Sequence, residues 1–158
     1  MKKLKADLEE IAMFMDNQDR YDQNYYLDTE TGETVTTPEE LMRSLKDGES
    51  LEDLPAWELE LVDVAREILA ESPRYVEIPM RPSYEGYDLM IEFAEGVKDP
   101  KLQRDLQYAL RGKGAFRRFK DRLRDYPDVE KEWFAFRDAG DRGYVKEWLE
   151  SIGIEAIA

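Results

Sequence analysis

The chain contains neither histidine nor cysteine. The first absence removes the side chain that most often moves protons near neutral pH, and with it the commonest nitrogen ligand of zinc and related metals. The second removes disulfides, thiolate metal sites and cysteine nucleophiles, and it fits a reducing compartment. Any chemistry therefore falls to carboxylates, lysines, arginines or tyrosines. No stretch approaches the roughly 20 apolar residues of a membrane-spanning helix. The basic start Met-Lys-Lys-Leu-Lys runs into Asp7, Glu9 and Glu10 rather than an apolar signal core. A cytoplasmic protein without membrane contact is expected, and no cofactor is implied. No serine or threonine stands in a pattern such as Gly-x-Ser-x-Gly, and there is no internal repeat or long linker.

What is present suffices for a folded core. The 158 residues fall in the single-domain range, and 42% of them are hydrophobic, too many for a disordered chain. A single domain over 1–158 is preferred to a division into subregions 1–80 and 81–158 meeting near Pro79–Pro82. The net charge of −14 makes a surface that repels nucleic acid overall, so general DNA binding is not expected.

Apolar spacing of three and four predicts a first helix over Leu4 to Asp16, carrying Leu8, Ile11 and Met15 on one face. Residues 24–36 read as a β-hairpin, with Tyr25 and Leu27 on one strand face, Tyr26 and Asp28 on the other, and Gly32 in the turn. Thr37-Pro38-Glu39-Glu40 reads as a capped helix start, with an end near Gly48. A further helix follows Asp53-Leu54-Pro55, with Trp57, Leu61, Val64 and Ile68 as its apolar stripe, until Ser72-Pro73 breaks it. Residues 74–79 alternate between prolines and suggest a short edge strand. Everything after Pro82 reads as helix: one capped by Ser83, one opened by Asp99-Pro100, one with Phe116, Phe119 and Leu123 inward, and two more capped by Asp128 and Asp141, the last ending at Gly153. The expected class is α+β, mostly helical, with a small antiparallel sheet.

Charge is unevenly spread. From Asp28 to Glu71 there are fourteen acidic and three basic residues, whereas Arg111 to Arg124 holds seven basic and one acidic. In the second segment glycines precede a helix start, where backbone N–H groups and the helix dipole favour an anion. Lys113, Arg117, Arg118, Lys120 and Arg124 are the candidate anion-binding residues. Gly-Lys-Gly is not a P-loop. Asp28, Glu30 and Glu33 form a weaker candidate for holding magnesium, which takes few protein ligands, but no EF-hand loop surrounds them. The aromatic residues, Tyr25, Tyr26, Tyr84, Tyr87, Trp133, Phe134, Phe136, Tyr144 and Trp148, read mainly as core. Tyr26 is the exception, expected near the surface beside Asp28.

Several of these segments together resemble one family. They are residues 24–33 (Asn24-Tyr25-Tyr26-Leu27-Asp28 through Gly32-Glu33), Glu77-Ile78-Pro79, the run from Ala109 to Asp121, Trp133 with Phe136, and Glu147-Trp148-Leu149. The chain resembles an uncharacterised bacterial protein family, number one-five-eight of the UPF series. That resemblance implies a bacterial protein and carries no activity, cofactor or catalytic residue with it.

Three functions are then open. The first is a non-enzymatic binding or regulatory module that engages an anionic ligand or protein partner through the basic helix 113–124. The second is a magnesium-assisted phosphoester enzyme that uses Asp28, Glu30 and Glu33 with Lys113 and Arg117. The third is an acidic scaffold, or nucleic-acid mimic, that binds a basic protein.

Overall fold

The basic start is a strand, not a helix. The computed structural model describes residues 1–17 and 20–157. It places β1 at Lys2–Lys5 and opens α1 only at Leu8–Asp16. The helix expected over Leu4 to Asp16 is therefore a turn too long. Asp7 sets the true start: its backbone is extended and its carboxylate accepts from the Glu10 N–H at 3.1 Å. Leu4 instead joins a parallel pair with β5 (Ile154–Ile157), Lys2 standing opposite Ile154. The elements expected from sequence end at Gly153, and β5 has no counterpart among them. Those four residues become a strand only because a partner arrives from the other end of the chain.

The hairpin forms as its residues predict. β2 (Gln23–Asp28) pairs antiparallel with β3 (Thr34–Pro38) on one side and with β4 (Tyr75–Glu77) on the other, giving the order β3-β2-β4. Tyr26 stands opposite both Val35 and Glu77. Strand β4 is an edge, as its flanking prolines suggest. Tyr25 and Leu27 are buried, and the Phe14 ring of α1 stacks on Tyr25 with centroids 4.4 Å apart. Tyr26 is only half-buried. Burial and the carboxylates of Glu77 and Glu39 raise its phenol above the ordinary tyrosine value.

Gly32 supplies the positive φ (+81°) that the hairpin turn requires. It also lies against β1: a Cβ built there would sit 2.1 Å from the Lys5 carbonyl oxygen.

Thr37 does not cap the next helix. It is fully buried in β3, and α2 runs from Glu39 to Lys46 behind an extended Pro38, with no side-chain cap. The Glu39 N–H is satisfied by the Asp22 carbonyl at 2.8 Å instead. Trp57 does not line the core. The expected single helix is two, α3 (Ala56–Leu59) and α4 (Val62–Leu69). The bend between them rotates the stripe, so that Val62 and Ala65 join Leu41 and Met42 in the local core while Trp57 is 57% exposed.

Four helices follow: α5 (Ser83–Glu95), α6 (Pro100–Ala109), α7 (Ala115–Leu123) and α8 (Pro127–Ser151). Asp99 caps α6 by accepting from the Lys101 N–H at 3.0 Å, with Pro100 in the first turn. Phe93, Phe119 and Trp133 pack edge to face at 5.0 to 6.4 Å and anchor this core. The two helices expected at Asp128 and Asp141 are one continuous helix of 25 residues. Asp141 caps nothing, because its carboxylate pairs with the buried Arg81 guanidinium at 2.5 Å. That guanidinium also lies over the Tyr144 ring at 4.7 Å. Among the described residues no helix is long and apolar enough to cross a membrane.

The class is α+β. The chain forms two compact units, Met1–Met80 with Val145–Ala158, and Arg81–Tyr144. Charge divides with them. The first unit's sequence holds nine basic and 24 acidic residues, for −15; the second holds 14 basic and 13 acidic, for +1.

Candidate functional site

The basic segment is built around one arginine that points inward. After α6 the chain turns through Gly112 and Gly114, both at positive φ (+71° and +77°), before α7 begins. Arg118, one turn into α7, reaches back over this loop. Its Nε donates to the Ala109 carbonyl at 3.1 Å, and its two terminal nitrogens donate to the carbonyls of Lys113 and Arg111. The guanidinium fork thus satisfies carbonyls left over at the end of α6 and in the turn. A Cβ at Gly114 would lie 3.1 Å from an Arg118 nitrogen. The Gly-Lys-Gly sequence and Arg118 are therefore parts of one structural latch, in which the loop turns carbonyls toward a cation of its own chain.

The other four candidates stand in solvent. Lys113, Arg117, Lys120 and Arg124 are all exposed, while Ala115, Phe119 and Leu123 occupy the buried side of the same helix. Asp121 is the one acidic residue between Arg111 and Arg124. It sits 3.9 Å from Arg117 and 3.5 Å from Arg124. These are loose, exposed pairs of small energetic weight. Among the described residues Lys113 and Lys120 have no ion-pair partner.

Two aromatic rings join this surface. Phe116, expected inward, is 41% exposed and rests edge-on against Tyr87 at 6.4 Å. Ala115, Phe119 and Leu123, four apart, define the buried stripe, and Phe116 falls beside it. Helical spacing places Phe116 on the same face as Phe119 and Leu123 equally well, so the choice of Ala115 as the inward residue comes from packing. Tyr108, at 67% exposure, carries the Arg111 guanidinium over its ring at 5.6 Å. Tyr108 falls away from the Leu102, Leu106 and Ala109 stripe of α6, a spacing that is legible in the sequence.

The hairpin carboxylates are arranged differently. Asp28 is buried, and its Oδ1 accepts from the Glu30 N–H at 2.9 Å, which shapes the turn. Arg74 takes both oxygens, Nε to Oδ1 at 3.0 Å and Nη2 to Oδ2 at 2.8 Å, and it also reaches Glu30 at 3.3 Å. The guanidinium therefore bridges Asp28 and Glu30. Those Arg74 hydrogen bonds hold the Asp28 carboxyl down at about 2. Glu33 is separate from this pair. It lines an open cleft of about 510 Å³ with Lys5, Asp7, Glu10 and Thr34, the Thr34 hydroxyl donating to Glu10. Among the described residues no three His, Cys, Asp or Glu side chains are grouped to hold a metal ion. The hairpin residues belong to the first compact unit and the basic helix to the second.

Residues 3–158 match the uncharacterised protein family UPF0158, and the chain belongs to that family. It is similar to the UPF0158 protein PA5073 of Pseudomonas aeruginosa, with 27% identity over 88 residues, 56% of this chain. The match spans 58% of that relative's length. No solved structure matches the chain.

Proposed function

We propose that this member of UPF0158 is a non-enzymatic binding or regulatory module of the bacterial cytoplasm, which engages an anionic ligand or partner through the outer face of α7. The observation that carries this reading is the division of labour within the basic segment. Arg118 is spent on the loop, yet Lys113, Arg117, Lys120 and Arg124 stay in solvent, and among the described residues Asp121 is their one ion-pair partner. A chain of net −14 has no need of a concentrated basic face for solubility. Exposed Phe116 beside the cations adds an apolar contact that a purely electrostatic surface would lack.

The test reverses charge where the fold does not depend on it. Arg117→Glu with Lys120→Glu alters two exposed side chains and leaves the Arg118 latch intact. Retention on an immobilised polyanion, and the set of proteins captured from a bacterial lysate, should both fall in the double variant while its thermal unfolding is unchanged. Equal retention and an unchanged set of partners would sink the proposal.

A further inference from the structure

Helix α3 is turned inside out relative to its chemistry. Its four residues are Ala56, Trp57, Glu58 and Leu59, and the buried one is Glu58. Trp57 is 57% exposed and Leu59 47% exposed. Burial of apolar surface would favour the opposite rotation. The surroundings make the exposure more pointed. Glu52, Asp53, Glu60 and Asp63 are all exposed on either side of α3. From Asp47 to Glu71 there are nine acidic residues and one basic, Arg66. A large aromatic ring projecting from a strongly anionic surface has the composition of an interface centre: tryptophan as anchor, charge around it to select the partner's sign.

We infer that α3 and the carboxylates beside it form a docking surface for a cationic protein segment that also carries an apolar side chain, with Trp57 as the anchor. Charge complementarity fixes the occupant. A nucleic acid or an anionic membrane is repelled by this surface, and a second copy docking through the same patch would bring like charge against it. A lysine- or arginine-rich segment gains long-range attraction from the carboxylates. An apolar side chain on that segment covers Trp57 and removes its exposed surface from water. The surface is distinct from α7, opposite in sign, and needs nothing from the function proposed above.

Trp57 reports on its own occupancy. Of the three tryptophans, Trp133 is buried and Trp148 half-buried, so Trp57 dominates quenching by acrylamide. The full chain is titrated, at about 150 mM salt to screen loose charge contacts, with two synthetic peptides of equal charge. One sets lysine and leucine at helical spacing, and the other replaces leucine with serine. The lysine–leucine peptide should bind at least about tenfold more tightly than the lysine–serine peptide, shift the emission to shorter wavelength and protect Trp57 from acrylamide. Trp57→Ser should weaken it about tenfold or more. Glu60→Lys with Asp63→Lys, which leaves the tryptophan in place, should weaken both peptides. Equal affinity for the two peptides, unchanged binding by Trp57→Ser, or a free chain that sediments as a dimer with Trp57 already protected would each overturn the inference.

Discussion

Arg74 holds Asp28 by both carboxylate oxygens, at 3.0 and 2.8 Å, across 46 residues of sequence. The pair ties the tip of the hairpin to the residue just before β4. The arginine's neighbours extend the tie: its carbonyl accepts from the Thr29 N–H at 2.8 Å, and its guanidinium lies over the Tyr75 ring at 5.2 Å.

This contact makes stability depend on pH in a defined window. An unfolded aspartate titrates near 4, whereas folding holds Asp28 at about 2. The stabilisation is present in full above the unfolded value and is lost as pH falls from about 4 through about 2. Arg74 is one-third exposed, so solvent screening limits the pair to about 1–2 kcal/mol. Asp28→Asn should lower stability by that amount at pH 7, and the gap to the native chain should close in urea titrations carried down to pH 2.

Two glycines at positive φ should respond very differently to alanine. At Gly32 the added carbon meets the Lys5 carbonyl oxygen, a backbone atom, at 2.1 Å. At Gly48, φ +68°, nothing lies within 4 Å. Gly48→Ala should cost about 1 kcal/mol, the strain of the left-handed conformation alone. Gly32→Ala should cost at least about 3 kcal/mol, because β1 and the turn must also separate. Urea midpoints of the two variants measure the contrast.

Adjacent arginines on α7 should separate stability from binding. Arg118→Ala orphans the carbonyls of Ala109, Arg111 and Lys113 and should destabilise the chain by about 2 kcal/mol. Arg117→Ala removes one loose contact to Asp121 and should leave stability within about 0.5 kcal/mol. Polyanion retention should fall in Arg117→Ala. Calorimetry and column retention together check both halves.

Within α8, Gly143 has open space where a side chain would go. Gly143→Ala should therefore stabilise the chain by about 0.8 kcal/mol through helix propensity. Gly140→Ala should gain less, because its new carbon would lie 2.7 Å from a Leu89 methyl that must move aside. Thermal unfolding of the two variants ranks them.

The parts of this structure legible in the sequence are those fixed by neighbours along the chain. The hairpin turn at Gly32, the Asp99-Pro100 start of α6 and the proline-bounded edge strand each depend on residues a few positions apart, and each forms. The failures share a cause too. Leu4 fits a helical stripe, but β5, about 150 residues away, draws it into a strand. Asp141 has the composition of a cap, but Arg81 claims its carboxylate. Thr37 has the same composition and is buried in a sheet. The candidate site divides along this line. The surplus of positive charge from Lys113 to Arg124 can be counted from sequence, whereas the diversion of Arg118 into the loop depends on which way its carbonyls face.

The parallel pairing of β1 with β5 has a consequence for the order of events during synthesis. The second unit, Arg81–Tyr144, is one uninterrupted stretch of chain and draws on neither terminus. The first unit is discontinuous and cannot be completed until both of its segments are available. Lys2–Lys5 must wait for Ile154–Ile157, made about 150 residues later, so β1 stays without its partner until those residues emerge. Closing a loop that long carries a large entropy penalty, which argues for a late and slow step. Through that interval the Lys5 carbonyl and the Gly32 turn, which meet in the finished protein, are held together only loosely. Three lysines on the waiting strand keep it soluble and discourage it from pairing with the wrong chain.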